Sequence, residues 1–212
     1  MSRSYTDVIA ELRNAYARSA SARDQMIKHD WKLEERNAFL ARLLNVGATR
    51  LLEVGAGTGQ DALFFHDNDL DVVATDLTPE MVSRCTEKGL DARVADVLDL
   101  GFLDASFDAI WTINCLLHVP TDALGLALAE IARVLRPDGL LYLGVYSTDP
   151  PFEGLNEDDT HDPKRFFAFR PDDVMLDAVA QRFDVIDFHT FDIPAQTRDR
   201  TFRFQSITAT RR

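Results

Sequence analysis

The chain of 212 residues has only two cysteines, Cys85 and Cys115, and neither stands in a Cys-x-x-Cys or Cys/His cluster. Zinc ligation and dithiol redox chemistry are therefore excluded, and free thiols are expected. Basic residues are also short: 23 lysines and arginines stand against 35 aspartates and glutamates, a formal charge of -12. An extended polyphosphate would meet repulsion over most of such a surface, so nucleic acid is not an expected partner. No stretch approaches the roughly 20 apolar residues of a membrane span, and the first thirty residues lack the apolar run of a signal peptide. Internal repeats, low-complexity tracts and carboxylate trios suited to a metal are missing too. These absences predict a soluble cytoplasmic protein with no membrane partner and no metal; monomer and homodimer both stay open. With 46% hydrophobic residues the chain can build one sizeable core, and residues 1–212 read as a single domain.

What is present is a regular alternation. Two helices come first, a weaker one over 5–17 and a second over 31–45, with Asp30 as its cap, Leu33, Leu40 and Leu44 on one face and Gly47 past its end. Residues 1–47 thus form a helical cap. Strands are predicted at 50–54, 71–75, 91–95, 107–114 and 140–146, with helices at 58–66, 79–87 and 122–135 between them. Short apolar runs alternating with helical periods predict a parallel sheet covered on both faces. Residues 149–163 are acidic and turn-rich, and read either as a lid or substrate loop or as a plain surface excursion. A helix is expected from Pro171 to Arg182, then two strands, 183–191 and 201–210, as an antiparallel pair. In the last strand Phe202 and Phe204 are out of phase with Ile207 and Ala209, which calls for a bulge or burial on both faces.

The first strand runs into LLEVGAGTGQ, residues 51–60. Glycines in a first strand-to-helix turn allow a ligand close to the backbone. The spacing is G-x-G-x-G, not the G-x-G-x-x-G of dinucleotide sites, and no lysine follows as a P-loop requires. Phosphate is not favoured. Asp76 ends the second strand, where a carboxylate can accept from two ribose hydroxyls, and Asp96 ends the third, where it can accept from an exocyclic amine. Together with Glu53 they suit a nucleoside that carries positive charge.

EVGAGTG, ATDLTPEMV, VADVLDL, FDAIWTINCLLHVP and RVLRPDGLLYLGV, in that order over roughly residues 48–146, resemble the motifs of the class I S-adenosylmethionine-dependent methyltransferases, particularly the small-molecule branch. The resemblance implies a Rossmann-like seven-stranded sheet, order 3-2-1-4-5-7-6 with strand 7 antiparallel, and S-adenosylmethionine as cofactor. It implies that Gly55, Gly57 and Gly59 line the methionine part with Glu53 beneath, that Asp76 holds the ribose, and that Leu77, Asp96 and Val97 meet the adenine. Asn114 would lie near the amino acid end. Residues 147–212 would supply the substrate loop and the last strands.

Methyl transfer from a sulfonium needs alignment, and a base only where the acceptor arrives protonated. His118 is the expected base. His29, Trp31, Tyr146, Arg165 and Phe167 are the expected acceptor contacts, with an Arg of the 164–171 run holding a carboxylate. The acceptor would be a small molecule methylated on O, N or C. Two alternatives use the same glycine loop: a nicotinamide-dependent reductase, and a non-catalytic S-adenosylmethionine-binding partner protein.

Overall fold

The structure is a computed structural model that describes residues 4–156, 161–193 and 201–212. Nine strands and six α-helices follow one another as α1 (Tyr5–Asp24), α2 (Asp30–Val46), β1 (Arg50–Val54), α3 (Gln60–His66), β2 (Asp71–Asp76), α4 (Pro79–Glu87), β3 (Asp91–Val94), β4 (Phe107–Ile113), α5 (Leu124–Val134), β5 (Leu135–Asp149), β6 (Phe152–Leu155), β7 (Phe166–Phe169), α6 (Asp172–Val179), β8 (Phe183–Ile193) and β9 (Thr201–Arg211). Seven strands form one sheet in the order β3-β2-β1-β4-β5-β9-β8. Counted within the sheet this is 3-2-1-4-5-7-6: β1 to β5 pair in parallel, and the last strand, β9, is antiparallel to both its neighbours.

Successive side chains on a strand point to opposite faces, and the core divides accordingly. Leu52, Ile110, Leu141 and Ile207 pack with Leu128 and Ile131 of α5 and Met175 and Val179 of α6. Their neighbours Leu51, Trp111, Leu140 and Tyr142 pack with Phe39, Leu40 and Leu43 of α2 and Ala62 and Phe65 of α3. Trp111 stacks on Tyr142 at 4.0 Å between ring centroids, with Phe39 5.5 Å from Trp111. This buried aromatic stack ties α2 to the middle of the sheet. Helix α1 instead crosses the carboxyl edge of the strands, with Val8 and Leu12 packed on Phe166 and Ala168 of β7.

Several expectations change. His29, not Asp30, is the N-cap of α2, and Asp30 is its first residue. Leu44 is 61% exposed, because Leu43 takes the inward position beside Leu40. Pro171 caps α6 from outside rather than opening it. The expected lid holds a strand, β6, that pairs antiparallel with β7 as a separate two-stranded sheet; residues 157–160 of that loop lie outside the described residues. FFAF is buried at all four positions, so it shows none of the alternation that marks a strand with one wet face. Strand β9 pairs with β5 in unbroken register and buries Phe204 to Ala209 on both faces. The irregularity sits in its partner β8, between Val185 and Asp187.

Candidate functional site

A cavity of about 410 Å3 lies between the carboxyl ends of β1, β2 and β4, helix α1 and the start of α2. Its floor is the glycine loop. Gly55 has φ 77°, and a Cβ there would sit 2.6 Å from Cys115 Cβ, so only glycine lets the loop press against the segment after β4. At Gly57, φ 56°, a Cβ would meet nothing within 4 Å: the backbone faces open cavity. Gly59 does not line the cavity; a side chain there would strike Cys85 and Leu90 instead, so it serves the packing of the loop on α4.

Acidic groups crowd this floor. Asp76 accepts the Gly57 N–H at 2.8 Å on one oxygen and the Thr78 N–H at 2.9 Å on the other, which leaves each oxygen a further lone pair. Burial pushes its carboxyl above the ordinary range, against the pull of those two donors. Glu53 is buried on β1 and its Oε2 has no hydrogen-bond partner among the described residues. Burial, then the charge of Asp61, holds its carboxyl well above the usual carboxylate range. Asn114 Oδ1 is likewise buried and unpartnered. Asp61 is satisfied, with Lys28 Nζ at 2.7 Å and Arg36 Nη1 at 3.2 Å.

Cations line the cavity as well. Lys32, on the first turn of α2, lines the cavity with its ammonium 5.2 Å from the Trp31 ring and 5.8 Å from the Tyr146 ring. Burial, then the nearby Lys28, brings its pKa down to about 8. Arg23, Lys28 and Arg165 line the same cavity. Helix α1 is fastened over it by Tyr5 to Asp96, by Tyr16 to His118 and by Asp24 to Lys88.

Of the residues singled out in the sequence, Glu53, Gly55, Gly57, Asp76, Leu77, Val97, Asn114, His118, His29, Tyr146, Arg165 and Phe167 line the cavity. Asp96 does not: its Oδ1 takes the Tyr5 hydroxyl and the Leu98 N–H, which turns the carboxylate into an anchor for α1. Trp31 does not either; it packs on Phe204, Phe191 and Tyr146, its centroid 4.4 Å from that of Phe204. His29 stacks on Trp31 from the cavity side. Arg170 is buried and donates to the backbone oxygens of Leu116 and Val119, so it fixes the turn that carries His118 rather than meeting a ligand. Tyr5, Tyr16, Lys28, Lys32 and Asp61 were not singled out. Val8, Leu12 and Ala15, at helical spacing, mark the inner face of α1 and could have drawn attention to Tyr16 beside them.

Residues 52–143 match a family model described as "Methyltransferase domain". Over that segment the chain is similar to methyltransferase domains. The chain is 34% identical over 118 residues to the 27-O-demethylrifamycin SV methyltransferase of Amycolatopsis mediterranei, covering 51% of this chain and 43% of that one. It is 39% identical over 124 residues to the demethylmenaquinone methyltransferase of Beutenbergia cavernae, covering 57% and 51%. The match thus spans about half the length of these relatives. Among solved structures, the Burkholderia thailandensis 1,6-didemethyltoxoflavin-N1-methyltransferase, seen with 1,6-didemethyltoxoflavin and S-adenosylhomocysteine, shares the fold over 100% of this chain and 92% of its own. The TM-score is 0.72 at 24% identity. The fold similarity therefore extends beyond the methyltransferase domain match to the helical cap and the last strands.

Proposed function

We propose that the chain transfers a methyl group from S-adenosylmethionine to a small-molecule acceptor. The observation that carries this reading is Asp76: a carboxylate at the tip of β2, clamped by two backbone N–H groups, facing the cavity with lone pairs left for two vicinal hydroxyls. The rest of the floor fits the same cofactor. Glu53 and Asn114 offer buried, unpartnered oxygens to an ammonium. Lys32 offers a half-buried ammonium to a carboxylate. Leu77 and Val97 give the adenine an apolar wall. The glycine loop has neither the spacing nor the lysine of a phosphate seat.

When bound, the cofactor supplies a methyl group activated on a sulfonium sulfur. The chain's own part is alignment and exclusion of water by α1, with Tyr146, Phe167, Arg165, His29 and His118 around the acceptor. The relatives named above methylate a demethylrifamycin SV and a demethylmenaquinone by their names, which supports a small-molecule acceptor here. Isothermal titration with S-adenosylhomocysteine and, separately, NADH tests the reading. Micromolar binding of the first and none of the second is expected; the reverse would replace a transferase by a reductase.

A further inference from the structure

His118, the expected base, does not face the cavity with an available lone pair. Its Nδ1 lies 2.7 Å from the Phe166 carbonyl oxygen, and a carbonyl oxygen only accepts, so the ring proton resides on Nδ1. The neutral ring therefore presents its lone pair at Nε2. Tyr16 Oη is 2.6 Å from that nitrogen, so the phenol proton points at it. Arg165 Nη1 donates to the same Tyr16 oxygen at 2.9 Å, and its guanidinium lies 5.2 Å from the Tyr16 ring centroid and 5.1 Å from that of Phe167. Tyr16 lines the cavity, and its oxygen keeps one more lone pair. Three elements distant in sequence, α1, the turn after β4 and β7, thus bring together a directed chain: Arg165 to Tyr16 to His118 to the Phe166 carbonyl.

We infer that Tyr16 takes the acceptor's proton, that His118 receives it from behind, and that the acceptor is an O–H nucleophile of phenol or enol type rather than a carboxylate. This rests on the methyltransferase reading above. The acceptor oxygen bonds the methyl carbon as its own O–H bond and the methyl–sulfur bond break, and the electron pair of the latter stays on sulfur. The acceptor's proton passes to Tyr16 Oη while the Tyr16 proton passes to His118 Nε2. A methyl ether, a thioether and an imidazolium result, and the positive charge moves from sulfur to His118. Arg165 stabilises negative charge that builds on the Tyr16 oxygen during the exchange. A carboxylate acceptor arrives ionised and would need none of this.

The test compares two phenols, catechol and 4-nitrophenol, at a pH where the nitrophenol is ionised and catechol is not. Y16F keeps the ring and removes the relay. With catechol its kcat should fall about a hundredfold or more, the usual scale of general-base loss, while the rate with ionised 4-nitrophenol should change less than about threefold. H118N, a second variant, should show the same split, and S-adenosylhomocysteine titration should show both variants folded and loaded as the parent is. Equal slowing of both phenols would reduce the pair to a structural anchor and overturn the inference. A parent chain that binds S-adenosylhomocysteine yet methylates neither phenol would overturn the acceptor class alone. One that binds no S-adenosylhomocysteine would overturn the transferase reading beneath it.

Discussion

The two walls of the cavity are built by different means. The sheet-tip wall consists of backbone turns and short acidic side chains at residues 53–57, 75–78, 95, 97 and 113–115, all within the matched 52–143 segment. The cap wall consists of long side chains, Tyr16, Lys32 and Arg165 among them, reaching in from α1, α2 and the approach to β7, all outside that segment. A turn fixed by φ and by N–H donors tolerates little change, whereas a helix presenting side chains can exchange them without altering its course. Under the proposed function, the first wall reads the part of the ligand common to all such reactions. The second, apart from Lys32, which meets the cofactor's carboxylate, sets which acceptor is taken.

The comparison can be broken at its joint, at either wall, or at its outer edge. Phe39→Ala removes the ring that ties α2 to the Trp111–Tyr142 stack, and should lower unfolding free energy by about 3–5 kcal/mol in urea; a smaller loss would mean that the cap is only loosely joined to the sheet. Asp76→Ala should weaken S-adenosylhomocysteine binding by about 1.5–3 kcal/mol through lost charge-assisted hydrogen bonds. Unchanged affinity in calorimetry would remove Asp76 from the ligand's reach.

Lys32→Met should weaken the same binding by about 1 kcal/mol and leave 5′-methylthioadenosine, which has no amino acid end, untouched. Because the charged ammonium is the binding form, the parent's affinity should decline as pH rises through about 8, the value set by burial and Lys28. A flat profile would place Lys32 away from the carboxylate.

The smallest effect is expected where the cap meets β8. His189 lies between Glu35, at 2.8 Å, and Asp187, at 3.2 Å. Partial burial pulls its pKa down, but the hydrogen bond and charge of Glu35, then of Asp187, outweigh it and leave a net rise. A raised value means that the contribution is fully present below the unfolded pKa and is lost as pH climbs through the folded one. His189→Gln should therefore cost less than about 1 kcal/mol at acidic pH, with the gap in melting temperature closing toward alkaline pH. A gap that widened would reverse the assigned charge.

Legibility in the sequence divides along the same line. Apolar runs ending in Gly or Asp mark the parallel strands and the floor of the cavity, because local backbone chemistry carries that information; the strand order came only with the family resemblance. Trp31 and Asp96 have residue types suited to ligands, yet Phe204 and Tyr5 claim them, and those partners come from 173 and 91 positions away. Tyr16 escaped notice for the converse reason: a tyrosine on a weakly patterned helix acquires meaning only when His118 and Arg165 arrive beside it. Strand β7 was hidden because its four residues are all buried.

The position of β9 has a consequence for biosynthesis. Among the described residues β8 joins the sheet solely through a strand that follows it in the chain. While ribosomes are still translating the segment before residue 201, the open flank of β5 is a bare, apolar ladder with its rightful neighbour unmade. Nascent or prematurely stopped products of this gene should accordingly be sticky, and dependent on chaperones in a way the finished molecule is not.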